Sequence, residues 1–127
     1  MRLYSPQALA FLGDAVYELL VRERIVLKAN RPVSELHLQA VEQVRASYQS
    51  QAYAVIEPLL TEEELAVYKR GRNSHVNSVP RGASKAEYHA ATALEAVFGW
   101  LHLAGEDRRV HELFDAILES CFKEQEN

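Results

Sequence analysis

FLGDAVYELL, residues 11–20, is the stretch that decides how the chain is read. Around it Leu9, Leu12, Val16, Leu19 and Leu20 fall on one stripe at steps of three, four, three and one, which is the period of an amphipathic helix. In the middle of that helix stand Gly13 and Asp14. Glycine in a helix interior costs about 1 kcal/mol relative to alanine, and a carboxylate on so apolar a helix is expensive to desolvate unless something pairs with it. One reading ends a first helix at Gly13 and makes Asp14 the cap of a second. The stripe argues against it, because it runs through residues 9–20 without a phase shift. A capping box begun at Asp14 would also want an acid at residue 17, which is Tyr17.

Helical signals extend outward from this stretch. Ser5-Pro6 combines a capping side chain with proline at the first helical position, so the first helix is predicted over about Pro6 to Leu27. Asn30-Arg31-Pro32 reads as a turn. A second helical stretch follows from about Ser34 to Glu57, with room for a break near Ser47, and Pro58 ends it. Thr61-Glu62-Glu63-Glu64 is a capping box, opening a helix that carries Leu65, Ala66 and Tyr68 and ends near Gly71. Residues 71–83, GRNSHVNSVPRGA, read as a loop. A second capping box, Ser84-Lys85-Ala86-Glu87, opens a helix from about Lys85 to Leu103 that Ala104-Gly105 stops. A last amphipathic helix is expected from about Asp107 to Phe122. Nothing alternates as a strand and nothing repeats, so the expectation is all-α, one domain over residues 1–127.

Composition sets the outer bounds. Of 127 residues 48% are hydrophobic and 25% charged, which suits a soluble domain with a real core. A single cysteine, Cys121, excludes an internal disulfide framework and a zinc–cysteine cluster, and points to a reducing cytoplasm. MRLYSPQ has no signal-peptide core, and no apolar run approaches the roughly 18 residues of a membrane span, so no membrane partner is expected. The formal net charge of −4 argues against a generic nucleic-acid coat but leaves room for a local basic patch.

Three sets of residues carry chemistry. On the first helix Gln7, Ala10, Asp14, Glu18 and Val21 lie within about 40° of one line. Asp14 and Glu18 are like-charged neighbours four apart, mildly destabilising without a cation. On the helix KAEYHAATALEAVFGWLHL, Glu95 sits among Leu94, Val97, Phe98 and Leu101, while Ala91, Ala96 and Gly99 are small enough for another backbone to come close. If the two helices cross there, Asp14 and Glu95 converge, and two buried carboxylates need a proton or a metal ion. An all-oxygen site without cysteine suits Mg²⁺, with Mn²⁺ able to replace it. Glu95 alone could equally be a partly exposed face residue. The third set is Lys69, Arg70, Arg72, Asn73, Ser74 and His75, followed by Arg81 and Lys85, a compact group of phosphate-binding donors in an acidic chain. Its first half also has a plainer account, since acids at 62–64 and bases at 69–70 suit a helix dipole. The five histidines show neither an HExxH nor a His-Asp pattern, and no serine, cysteine or glycine-rich phosphate-loop motif is present.

These residues resemble the catalytic domain of ribonuclease III. The family's acidic signature helix, roughly ExxEFLGDA, stands here as QALAFLGDA, residues 7–15, and its second, roughly ADxxEALIGALYL, as ATALEAVFGWLHL, residues 91–103. Order and separation agree over essentially the whole chain. The departures are specific: Gln7 and Ala10 replace the two signature glutamates, Thr92 replaces the first acid of the second helix, and no double-stranded-RNA-binding domain follows. Together with KRGRN, this combination is similar to the short bacterial Mini-ribonuclease III branch. The resemblance implies an all-α homodimer that cleaves double-stranded RNA with Mg²⁺ and matures the large-subunit (23S) ribosomal RNA precursor. It implies Asp14 and Glu95 as the catalytic, metal-side acids, with Glu18 or water filling a coordination position. The donors from Lys69 to His75, with Arg81 and Lys85, become the RNA-binding set. A ribosomal-protein helper that presents the RNA is left open. Phe11, about 60° around the helix from Asp14 and off the leucine stripe, belongs in that pattern to the subunit interface. Two rival readings are a non-catalytic RNA-binding or protein-docking module on the same fold, which loss of acids would mark, and an all-α nucleotide pyrophosphohydrolase, whose paired ExxE does not occur here.

Overall fold

Ser5 caps the first helix as its chemistry dictates: its Oγ accepts from the Ala8 N–H at 3.1 Å, and Pro6 follows at the first helical position. The computed structural model describes residues 4–49, 52–74 and 85–122. Within them the helices are α1 (Pro6–Lys28), α2 (Val33–Gln49), α3 (Ala52–Ile56), α4 (Glu62–Arg72), α5 (Lys85–Leu103) and α6 (Asp107–Phe122). A 3-10 turn, Glu57–Leu59, links α3 to α4. The fold is all-α, and no strand occurs among the described residues.

The break for which the second helical stretch left room near Ser47 is present, α2 ending at Gln49 and α3 starting at Ala52. Two local details differ from expectation. Pro58 does not simply stop a helix, because it sits inside the 3-10 turn, whose early positions need no N–H. Gly71 does not end α4; the helix continues to Arg72, and Gly71 is buried where a side chain would meet Ala93 and Thr92 of α5. The second capping box, Ser84 to Glu87, lies outside the described residues and side chains. At the far end of α5 the expected stop is present. Gly105 adopts φ 75°, its N–H donates to the His102 carbonyl at 3.0 Å and the Glu106 N–H to that of Leu101 at 2.9 Å, a Schellman closure.

α5 is the central element. Ala93, Leu94, Ala96, Val97, Phe98 and Leu101 are buried along it, between α1 and α4 on its flanks and α6 beyond. The Tyr17 ring stands edge-on to Phe98 and to Phe114, each centroid 5.4 Å away. The buried side of α1 is not the plain leucine stripe. It is Leu9, Ala10, Gly13, Tyr17, Leu20, Val21 and Ile25, with Leu12 and Val16 half-buried and Leu19 56% exposed. The cause is that α5 approaches α1 on its glycine side, which rotates the core-facing line toward Gly13 and Tyr17 and turns Leu19 out.

α4 is fastened at its start by a complete capping box, Thr61 Oγ1 accepting from the Glu64 N–H and Glu64 Oε1 from the Thr61 N–H. The buried Glu64 carboxylate also takes two hydrogen bonds from Arg109 of α6, both 2.9 Å, while Arg109 donates to the Leu59 carbonyl at 2.7 Å. Burial pushes the Glu64 carboxyl up, but the Arg109 hydrogen bonds, the Thr61 N–H and the Arg109 charge outweigh it and hold the group below its usual 4.5. The Glu64 hydrogen bond in turn raises Arg109 above its ordinary range.

Candidate active site

The site is built on a crossing of two helix backbones. A Cβ placed on Gly13 would lie 1.6 Å from the Glu95 carbonyl oxygen and 2.9 Å from the Gly99 nitrogen. A Cβ on Gly99 would lie 2.0 Å from the Leu9 carbonyl oxygen and 3.1 Å from the Gly13 nitrogen. Only two glycines permit this approach. The crossing explains the glycine inside FLGDA and brings the neighbouring Asp14 and Glu95 to the rim of the same contact. Asp14 is exposed and Glu95 half-buried.

Two carboxylates from two rigid helices are a donor set that a hard divalent cation accepts, since Mg²⁺ typically takes one or two protein carboxylates and keeps several waters. Among the described residues no group of three or more His, Cys, Asp or Glu converges. Glu18 is not gathered to this pair. It is joined to Arg22 one turn on, at 2.9 Å, with both side chains about half exposed. Thr92 is buried and its hydroxyl donates to the Tyr88 carbonyl of its own helix at 2.9 Å.

The basic set divides. Lys69, Arg70, Asn73 and Ser74 at the end of α4 line an open cleft of about 480 Å³ with Pro6 and Gln7 at the start of α1. Arg72 lies outside that lining, 3.9 Å from Glu57. His75 and Arg81 lie outside the described residues, and so does the side chain of Lys85. Gln7 was not singled out as a binding residue by sequence reasoning. Its signals were its place on the Asp14 line and its standing where the family signature has a glutamate; the docking of α4 beside it is a tertiary fact. Phe11, three residues before Asp14, is 84% exposed.

Comparison with known proteins bears on this geometry. The ribonuclease III domain profile matches residues 7–106, from Gln7 in the basic cleft through both crossing helices. The chain belongs to the ribonuclease III family. Within it the resemblance is to Mini-ribonuclease 3 proteins. The one from Thermoanaerobacter sp. is 43% identical over 87% of this chain and 78% of its own length. That of Gloeobacter violaceus is 46% identical over 85% and 78%. A crystal structure of a Fusobacterium nucleatum protein, 34% identical, superposes with a TM-score of 0.83 over 94% of this chain and 95% of that one. As a ribonuclease III family member the protein is an endoribonuclease. No described helix is long and apolar enough to cross a membrane.

Proposed function

We propose that the protein is a homodimeric, Mg²⁺-dependent endoribonuclease of double-stranded RNA, with the large-subunit (23S) ribosomal RNA precursor as its substrate. The observation that carries the reading is the backbone crossing at Gly13 and Gly99, which sets the Glu95 backbone against the residue before Asp14. A cation bound there would supply Lewis-acid polarisation of a phosphodiester and favour the ionised form of a water. The chain's own part is to present the two carboxylates from rigid helices and to seat the phosphates beside them. Glu18, held by Arg22, stands one turn away as a charge that an additional water-mediated contact can use. Mn²⁺ fits the same oxygen donors.

A dimer follows from the outer face of α1. Phe11, Leu19 and Val26 are 84%, 56% and 55% exposed and recur, with Ala8 and Ala15, at helical spacing. An aromatic left so open is a natural anchor for a two-fold interface. Two copies then present two carboxylate pairs, one for each strand of a duplex recognised by its A-form shape and phosphates. Duplex RNA and a nucleoside triphosphate, each assayed with and without Mg²⁺, test the reading. Cleavage of the duplex alone, only with the metal, supports it; hydrolysis of the triphosphate alone makes the protein a nucleotide pyrophosphohydrolase, and binding without cleavage makes it an RNA-docking module.

A further inference from the structure

α1 carries Asp14, Glu18 and Arg22 four residues apart, one above the other on one face. Each step is about 6 Å along the axis, and side chains on a helix lean back over the turn before them. Glu18 therefore leans toward Asp14, and Arg22 toward Glu18. Two carboxylates at this spacing repel. Here the repulsion is answered from the far side, where Arg22 Nη2 donates to Glu18 Oε1 at 2.9 Å. Glutamate with its cation four residues on is the better orientation for such a pair. The two side chains are 41% and 57% exposed, so the pair is weak and exchanges readily. Arg22 has no second acid to turn to. The groove that it lines between α1 and α2, with Ile25, Leu36 and Ala40, includes no carboxylate, and no other ion pair among the described residues involves it. Among the described residues no three ligating side chains converge. Glu18 is the acid nearest to Asp14 along α1, and its absence from such a group has a visible cause in Arg22.

We propose that Arg22 is a positioning residue that competes with the divalent cation for Glu18. With no cation at Asp14, Arg22 neutralises Glu18 and holds its carboxylate on the C-terminal side. A cation at Asp14 draws Glu18 back by a change of rotamer, so that its carboxylate accepts a hydrogen bond from a water of the ion's shell, and the Arg22 guanidinium is released to solvent. One cation replaces another as the partner of Glu18. The exchange gives up a weak surface pair and gains an outer-shell carboxylate, a kind of group that strengthens and orients a bound ion. The proposal rests on the cation reading above.

A double-variant cycle in the full-length protein tests it, read by Mn²⁺ paramagnetic resonance without RNA in about 0.15 M salt, which screens distant charges. The proteins are wild type, Glu18→Gln, Arg22→Gln and the double variant, with Asp14→Asn as the control. Both positions are exposed, so the variants are expected to fold, and melting curves in chelator check that. Sedimentation at the same concentrations keeps a change of oligomeric state from passing for a change of affinity. Glu18→Gln is expected to weaken Mn²⁺ binding about tenfold. Arg22→Gln is expected to tighten it about twofold or more, because the ion no longer has to displace the guanidinium. With glutamine at position 18 the Arg22→Gln change is expected to leave the affinity unmoved. Equal tightening by Arg22→Gln with Glu18 or with glutamine there reduces Arg22 to a general field effect and overturns the proposal. So does Mn²⁺ binding that Glu18→Gln leaves unchanged, or that Arg22→Gln leaves unchanged or weakens. The control separates the failures: if wild type takes up no Mn²⁺, or Asp14→Asn takes it up equally well, the cation reading falls and the exchange with it.

Discussion

Gly13→Ala is the substitution whose cost the structure specifies most tightly. The added methyl would sit 1.6 Å from the Glu95 carbonyl oxygen and 2.5 Å from its carbon, both backbone atoms that no rotamer change can move. Ordinary contact begins near 3.4 Å, so α1 and α5 must part locally by about 1.8 Å. Overpacking a core commonly costs about 1–3 kcal/mol and sometimes more, and a rigid backbone neighbour places this site at the upper end. Alanine returns about 1 kcal/mol of helix propensity. The net loss is therefore about 2 kcal/mol or more, a fall of roughly 6 °C or more in Tm for a chain of this size. The same displacement separates Asp14 from Glu95, so cleavage should fall even well below the melting range. Gly99→Ala, with 2.0 Å to the Leu9 carbonyl, should rank next, and Gly71→Ala, 2.9 Å from the Ala93 Cα, below it. Gly105→Ala meets nothing within 4 Å and should lose only the roughly 1 kcal/mol of a left-handed backbone. Calorimetry on the four variants reads the order. A Gly13→Ala protein that melts at or above wild type with full activity would refute the crossing as the device that sets the site.

Phe11→Ala should raise the dimer dissociation constant by more than about tenfold, as loss of an interface anchor often does, read by sedimentation over a dilution series; the same dissociation constant with a lower Tm would return Phe11 to an ordinary packing role. Asp14→Asn should leave melting in chelator unchanged or raised, because it removes one of two neighbouring negative charges, while abolishing stabilisation by Mg²⁺; a large drop in chelator would make Asp14 a structural partner. Because the folded Glu64 carboxyl is held below its usual 4.5, its ion pair with Arg109 contributes fully above that pH and is lost as pH falls through the lowered value. Glu64→Gln should therefore cost about 2 kcal/mol or more near neutrality and flatten the acid limb of the stability curve, checked by denaturation at pH 3 to 7.

Local signals carried much of the fold to the page. The caps at Ser5 and Thr61 and the stop at Gly105 are short-range chemistry, and the helices begin and end where they require. What sequence reasoning misplaced was set by packing between helices. Leu19 belongs to the leucine stripe by period, yet the approach of α5 at Gly13 turns it outward. Gly71 looks like a helix end, yet it is the bare spot on which α4 docks to α5. At the site, the crossing of α1 and α5 was readable because Gly13 and Gly99 each leave a helix bare for another backbone. The cleft joining Gln7 to Lys69 and Arg70 was not, since those residues meet only through the placement of α1 and α4. Glu18 shows the limit of face geometry: it shares the Asp14 line, but Arg22 on the next turn engages it.

The central claim is that Asp14 and Glu95, held together by the glycine crossing, are the acids of a metal-dependent RNA cut. Its most direct test is cleavage of a labelled duplex RNA by wild type, Asp14→Asn and Glu95→Gln, with Mg²⁺ or chelator, alongside binding of the same duplex. The account predicts cleavage by wild type in Mg²⁺ only, none by either variant, and duplex affinity in both variants close to wild type. Turnover by either variant at the wild-type rate, with its fold confirmed by circular dichroism, would contradict it.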